Sequence, residues 1–167
     1  MNRQNMIDLA TKVIELCRIS GNHLIAAESM TGGLLISELT NIPNASQVID
    51  RSFIVYSDQA KEDILNVDQQ LIQQYSVYST EVVQAMLDGL TMKSNADIRV
   101  AISGIAGPTS YNHQPVGRVY IGIAYGEKTQ LFIKQFSGTR LDIRQKTVIF
   151  IFETIIQWLE GMKHEIT

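Results

Sequence analysis

The hydrophobic and polar positions of the chain follow two periods, one typical of helices and one typical of strands. Apolar residues recur every three or four positions over residues 5–19, which predicts an amphipathic helix that ends near Gly21. Three short apolar runs predict buried strands, and they lie at residues 23–28, 48–56 and 97–103. Four further helices are predicted: over residues 34–39, from the N-cap Ser57, over residues 68–74 and from Ser79.

The last third of the chain changes to a strand pair followed by a long helix. Residues 117–125 and 130–136 predict two strands joined by a short turn as a β-hairpin. A closing helix is predicted from Thr139 or Arg140 to Leu159. Because its polar stripe is narrow, this helix is either central to the fold or part of a subunit interface.

The order of these elements predicts the fold class. Helices alternate with strands in the first half and an antiparallel pair follows, which is typical of an α/β fold. We expect a three-layer α/β/α sandwich with a mixed, mostly parallel sheet. Residues 1–167 are expected to form a single domain, because no repeat, low-complexity segment or linker interrupts the pattern.

Composition narrows the classes of partner. The chain has 167 residues, a net charge of −3 and no run of basic residues longer than a pair, which argues against a nucleic-acid partner. Cys17 is the only cysteine, so an internal disulfide is excluded and a reducing compartment is indicated. The polar N-terminus does not resemble a signal peptide, and the most apolar run, residues 148–152, is too short to span a bilayer. We therefore expect a cytoplasmic protein with no membrane partner.

Two glycine-containing loops each follow a predicted buried strand, at residues 28–33 and 103–109. Ser29 or Thr31 is expected to cap the helix after the first loop, and the paired glycines there to leave N–H groups open to an anion. A serine beside such a helix start is placed to act as a nucleophile. Loops that follow neighbouring strands can line one pocket, although ordinary turns use the same residue types.

A tyrosine and a lysine occupy two positions that touch across the first turn of a predicted helix. If Ser57 is the N-cap, Tyr56 precedes it and Lys61 is the fourth helical residue, which are the positions of a hydrophobic staple. The helix dipole and burial against the phenol would lower the pKa of Lys61. A lysine that is partly neutral can act as a general base for a serine. The alternative is a solvated lysine whose stem lies on the aromatic ring.

Other side chains indicate chemistry less specifically. The three histidines are scattered and lack the spacing of a metal site, so no metal site is predicted. Arg140 and Arg144 are four residues apart on one helix face. They form either a clamp for a phosphate or carboxylate, or an exposed pair.

Several segments carry a resemblance to one known family. Residues 27–34 (AESMTGGL), 55–61 (VYSDQAK) and 103–108 (SGIAGP) resemble the CinA C-terminal domain family, and residues 115–120 and 136–140 extend the match in the same order. The resemblance implies an amidohydrolase that converts the carboxamide of nicotinamide mononucleotide to a carboxylate and releases ammonia, in pyridine nucleotide salvage. It also implies the stand-alone form, which lacks the additional N-terminal domain of longer members.

The same resemblance implies the site residues. Ser29 is expected to be the nucleophile, activated by Lys61 and Tyr56, and backbone N–H groups of the two loops are expected to hold the oxyanion and the phosphate. The substrate contacts that it implies are Thr31, Gly32, Gly33, Ser103, Gly104, Gly107, Thr109 and Arg140. No metal or other cofactor is implied. The expected partners are the small-molecule nucleotide and, because the closing helix is so apolar, further copies of the chain in a homo-oligomer.

Three positions depart from the family pattern. Met30 replaces a cysteine, Thr139 stands where an aspartate usually precedes the arginine, and residues 110–113 (SYNH) replace paired glycines. These departures leave two alternatives open. One is a catalytically weak, nucleotide-binding regulatory module, and the other is an amidohydrolase of a different small amide.

Overall fold

The computed structural model describes residues 3–163, and every predicted helix and strand is present. The largest difference in bounds is the end of the closing helix, which reaches Lys163 and not Leu159. The elements are, in chain order, α1 (Arg3–Ser20), β1 (Leu24–Glu28), α2 (Leu34–Thr40), a 3₁₀ turn (Ala45–Gln47), β2 (Ile49–Ile54), α3 (Asp58–Leu65), α4 (Gln69–Tyr75), α5 (Thr80–Thr91), β3 (Ile98–Gly104), β4 (Arg118–Tyr125), β5 (Lys128–Gln135) and α6 (Arg140–Lys163).

The five strands form one sheet in the order β2-β1-β3-β4-β5. Strand β1 pairs in parallel with β2 and β3, whereas β4 pairs antiparallel with β3 and β5. Four strands therefore run in one direction and only β4 runs in the other, which confirms the mixed, mostly parallel sheet. All five residues of β1 are buried, as its unbroken apolar run predicts for a strand covered on both faces.

Helices cover both faces of the sheet, so the predicted three-layer sandwich is confirmed. Alternate residues of β1 point to opposite faces. Leu24 and Ala26 join the core beneath α1, α2 and α6, whereas Ile25 and Ala27 join the core beneath α3 and α5. The sheet therefore lies between the two cores, and the loops at the ends of its strands are not covered by them.

Helix α6 is central to one of these cores. Its buried apolar residues pack with those of α1 and the sheet, and they are Ile143, Val148, Ile151, Phe152, Ile155 and Leu159. The narrow polar stripe of this helix is therefore explained by packing within the chain. Over residues 3–163, no helix combines the length and apolar character needed to cross a membrane.

The loops of interest meet at the carboxyl end of the parallel strands. Glu28, the last residue of β1, pairs with Ile54 of β2 on one side and with Ile102 of β3 on the other. The N–H of Ser29 donates to the Ile102 carbonyl at 3.1 Å, and the N–H of Val55 donates to the Glu28 carbonyl at 2.9 Å. These bonds place the segments after β1, β2 and β3 side by side.

One close approach between helices yields a stability prediction. A Cβ added at Gly89 of α5 would overlap the carbonyl oxygen of Leu65 and lie 2.8 Å from its Cβ. Gly89→Ala should therefore lower the free energy of unfolding by about 1–3 kcal/mol, measured by urea titration. Gly161→Ala in α6 is the control, because nothing lies within 4 Å of its added Cβ and only helix propensity changes. Equal stability of the two variants would contradict this account.

Candidate active site

Ser29 and Lys61 come from different elements, and their side chains meet at the carboxyl end of the parallel strands. Ser29 is the first residue after β1, and Lys61 lies in the first turn of α3, which Ser57 caps by accepting from the Ala60 N–H at 3.1 Å. The Nζ atom of Lys61 is 3.4 Å from the Ser29 Oγ atom. Both side chains are buried, and Lys61 is only 1% exposed. The alternative of a solvated lysine is therefore wrong.

The remaining contacts of Lys61 orient its amine. Its Nζ atom donates to the carbonyl of Val55 at 3.0 Å and to the carbonyl of Ser57 at 3.3 Å. A neutral amine has two N–H groups and one lone pair. When two carbonyls accept the two N–H groups, the lone pair is left for the third neighbour, which is the hydroxyl of Ser29. The arrangement can accept the serine proton.

Burial lowers the pKa of Lys61 below its ordinary value, and the nearby Asp58 carboxylate acts in the opposite direction. The Asp58 Oδ1 atom is 3.9 Å from Nζ. Because the folded state holds this proton less tightly than the unfolded chain does, the contribution of Lys61 to stability is unfavourable while it is charged. That cost is relieved as pH rises from the lowered pKa toward the ordinary one.

Tyr56 makes a different contact from the predicted one. Its side chain is 57% exposed, and its hydroxyl accepts a bond from Nη2 of Arg140 at 2.6 Å. Nη1 of Arg140 donates to the Gly107 carbonyl, also at 2.6 Å. The phenol therefore joins the arginine and the second loop, where the staple geometry had predicted contact with Lys61.

The start of α6 fixes where Arg140 lies. Thr139 and Asp142 form a reciprocal capping box: the Asp142 carboxylate accepts from the Thr139 N–H at 2.8 Å, and the Asp142 N–H donates to the Thr139 hydroxyl at 3.2 Å. Bonds from Thr139 lower the pKa of Asp142, which keeps this cap charged. Threonine therefore orders the helix start directly before Arg140. Arg144, one turn later, donates to the Thr31 carbonyl at 2.6 Å.

The prediction that Gly32 and Gly33 leave the first N–H groups of the helix open is wrong. The buried carboxylate of Glu28 accepts from the N–H groups of Gly33, Leu35 and Ile36, each at 3.1 Å. The N–H of Gly32 donates to the Ser29 carbonyl at 3.0 Å. Neither Ser29 nor Thr31 caps the helix, because Gly33 is the N-cap and Glu28 supplies the oxygen atoms.

A cavity of about 300 Å³ opens beside Ser29. Of the predicted site residues it is lined by Ser29, Tyr56, Gly104, Gly107, Thr109 and Arg140. Six further residues line it that were not among the predicted site residues: Met30, Tyr78, Ile105, Ala106, Ser110 and Tyr111. Met30, without an explanation at the sequence level, is thus part of the wall.

Four predicted substrate contacts lie outside this lining. Gly32 and Gly33 belong to the turn held by Glu28, and the hydroxyl of buried Thr31 has no partner among the described residues. Ser103 is buried and donates to the Val77 carbonyl at 2.8 Å, which ties β3 to the segment before α5. These four residues therefore lie behind the cavity lining and support it.

Open N–H groups lie at Met30 in the first loop and in the second loop. Within residues 3–163, the N–H groups of Met30, Ala106 and Gly107 have no hydrogen-bond acceptor, and all three residues line the cavity. Backbone N–H groups that face a cavity can stabilise an oxyanion or bind an anionic group. The anion-binding role predicted for both loops is therefore available at Met30 in the first loop and at Ala106 and Gly107 in the second.

The fold and the site define the class of protein. It is a three-layer α/β molecule with a buried serine–lysine pair at the carboxyl end of its parallel strands. Residues 6–159 match the CinA C-terminal domain, and the chain belongs to that family. The structure of a competence-damaged protein (CinA) superfamily protein from Klebsiella pneumoniae has a TM-score of 0.90 at 28% identity, covering 93% of this chain and 98% of that one. The competence/damage inducible protein CihA from Agrobacterium tumefaciens has a TM-score of 0.88 at 31% identity, covering 93% and 96%.

Relatives differ in how much of their length this chain spans. A protein named nicotinamide-nucleotide amidohydrolase PncC, from Enterobacter agglomerans, is 34% identical over 159 residues, which are 94% of this chain and 97% of that protein. A protein from Caldicellulosiruptor bescii that carries the competence-damage inducible name is 44% identical over 122 residues, 72% of this chain. The chain spans only 30% of that second protein and 39% of a similar one from Thermoanaerobacter pseudethanolicus.

Glu28 should be required for stability of the turn that carries Ser29. In Glu28→Gln, one carboxylate oxygen becomes an NH₂ group that faces N–H donors, so buried bonds are lost. The free energy of unfolding should fall by about 1–3 kcal/mol in urea titration. Glu38→Gln is the control, because Glu38 lies on α2, whose N–H groups Glu28 accepts, and itself accepts only a 3.4 Å bond from Asn41. A Glu28→Gln variant as stable as the parent would show that these bonds do not hold the turn.

Asp58 should tune the titration of Lys61. Its carboxylate favours the charged amine, so Asp58→Asn should move the Lys61 pKa further down. The shift can be followed by NMR in protein with ¹³C-labelled lysine side chains, assigned with Lys61→Met. Asp63→Asn serves as the matched control, since Asp63 is on the same helix but bonds to Gln59. A pKa that stays constant or rises in Asp58→Asn would refute the assignment.

Proposed function

We propose that the protein is an amidohydrolase that hydrolyses the carboxamide of nicotinamide mononucleotide, giving nicotinate mononucleotide and ammonia in pyridine nucleotide salvage. The observation that carries this proposal is the 3.4 Å approach of the buried Lys61 amine to the Ser29 hydroxyl. The similarity to the Enterobacter agglomerans protein, which spans nearly the whole of both chains, supports the choice of substrate.

Acylation of Ser29 is the first half of the proposed reaction. Lys61 takes the hydroxyl proton while Oγ attacks the carboxamide carbon, and the carbonyl oxygen becomes an oxyanion. The open N–H groups of Ala106 and Gly107 are the donors proposed to stabilise this oxyanion. The C–N bond then breaks, and the proton held by Lys61 passes to the leaving nitrogen, so that ammonia departs and an ester to Ser29 remains.

Hydrolysis of the ester completes the cycle. Water gives a proton to neutral Lys61 and attacks the ester carbon, and the Ser29 oxygen leaves and recovers that proton. The nicotinate carboxylic acid is released and ionises. Arg140 is proposed to contact the phosphate, and Tyr56, which accepts its bond, would position the guanidinium. No step in this sequence uses a metal or cofactor.

The function is tested by ammonia release from nicotinamide mononucleotide. Wild-type protein should release ammonia, and Ser29→Ala and Lys61→Met should each lower the rate by about a thousandfold or more, because nucleophile and base act as a unit. Lys93→Met should keep the wild-type rate, since Lys93 lies by the opposite end of the sheet. The rate should rise with pH through the lowered Lys61 pKa, because only the neutral amine accepts the proton.

The outcomes separate the proposal from its alternatives. Tight nucleotide binding without ammonia release would favour a regulatory nucleotide-binding module. Turnover of another small amide, but not of the nucleotide, would favour a related amidohydrolase. An undiminished rate in Ser29→Ala would exclude serine catalysis altogether.

A further inference from the structure

Two tyrosines that the proposed reaction does not use meet at the wall of the cavity. Tyr78 precedes α5 and Tyr111 lies in the loop between β3 and β4, and both line the cavity that contains Ser29. Their ring centroids are 5.1 Å apart and the ring planes are at 77° to each other. In such an edge-to-face pair the contact covers one face of only one ring, and both tyrosines still line the cavity.

A tight turn holds Tyr111 although its side chain is 46% exposed. The Tyr111 N–H donates to the Gln114 carbonyl at 3.2 Å, and the Gln114 N–H donates back to the Tyr111 carbonyl at 2.8 Å. The two residues between them have positive φ, 43° at Asn112 and 62° at His113. Positive φ at both central residues is the pattern of a type I′ turn, which fixes the direction of its flanking residues.

The side chain of Gln114 fastens this turn to the rest of the wall. Its Nε2 atom donates to the Tyr78 carbonyl at 3.0 Å, and its Oε1 atom accepts from the Tyr120 hydroxyl at 2.8 Å. One amide therefore joins the turn, the segment before α5 and strand β4. The two cavity-lining rings are held in a fixed relation before any ligand binds.

We propose that Tyr78 and Tyr111 form an aromatic wall that binds the ring of the substrate beside the amide, and so restrict the enzyme to amides of flat, electron-poor aromatic rings. This inference rests on the proposed function and names the part of the cavity that would select the substrate. The nicotinamide ring of the nucleotide is a cationic pyridinium, and a tyrosine face attracts a cation held over it. Ser29, Tyr78 and Tyr111 line the same cavity of about 300 Å³, so a ring attached to an amide at Ser29 shares that space with the two tyrosines.

Binding to the Ser29→Ala protein tests the wall without turnover. Nicotinamide mononucleotide is titrated by calorimetry, and ribose 5-phosphate, which has the sugar and phosphate but no ring, is measured by displacement. Adding Tyr111→Leu should weaken binding of the nucleotide by about tenfold and leave ribose 5-phosphate unchanged. Tyr111→Phe keeps the ring and should bind the nucleotide as the parent does. Tyr75→Leu is the control, because Tyr75 is an exposed tyrosine at the end of α4 outside the cavity lining.

A second variant covers loss of folding. If circular dichroism shows that Tyr111→Leu is unfolded, Tyr78→Leu should show the same ring-selective loss. Equal weakening of both ligands, or unchanged nucleotide binding in a folded variant, would overturn the inference. Ammonia release by the wild-type protein separates the two proposals. Ring-dependent binding without ammonia refutes the amidohydrolase and keeps the wall, whereas ammonia release with ring-independent binding does the reverse.

Discussion

The carboxylate of Glu28 accepts three backbone N–H groups from the start of α2, and the geometry of the site depends on these bonds. A buried charge is tolerable only when hydrogen bonds replace its lost water, and the positive end of a helix is a favourable place for an anion. The helix benefits equally, since seven residues are too few to be stable alone in water. Because Glu28 is the last residue of β1, these bonds also fix the direction in which the chain leaves the sheet. They therefore fix the position of Ser29, which is the first residue after the strand.

Lys61 is the second buried ionisable group at this end of the sheet, and its hydrogen-bond partners are of a different kind. Backbone N–H groups surround the carboxylate of Glu28, whereas backbone carbonyls accept from the amine of Lys61. A direct ion pair between the two would have held the lysine charged and raised its pKa. Because backbone dipoles are the nearest partners of each group, the fold keeps the lysine free to lose its proton. The nearest carboxylate is that of Asp58, at 3.9 Å and in contact with solvent, where its influence is screened.

Local rules in the sequence were sufficient to predict the architecture, whereas the pairing of Ser29 with Lys61 was what the family resemblance implied. Unbroken apolar runs identified the buried strands, the Ser57 cap identified the start of α3, and parallel strands bring their carboxyl ends to one edge. What failed was the assignment of hydrogen-bond partners between distant segments. The glycine pair does not reveal that a carboxylate five residues before Gly33 accepts its N–H, although an acidic residue at the end of a buried strand requires some donor. Tyr56 and Arg140 are 84 residues apart, and Ser103 and Val77 are 26 apart, so no local period records either contact.

The two 2.6 Å bonds of Arg140 have a consequence for how the cavity admits charge. Its guanidinium is already ordered by a phenol and a carbonyl, so an arriving group finds the donors aimed and pays little side-chain entropy for them. It must nevertheless compete with two neutral acceptors. A neutral oxygen gains nothing by that exchange, whereas an anion adds the attraction between opposite charges to the hydrogen bond. The ordered guanidinium of Arg140 therefore favours anionic ligands over neutral ones of the same shape.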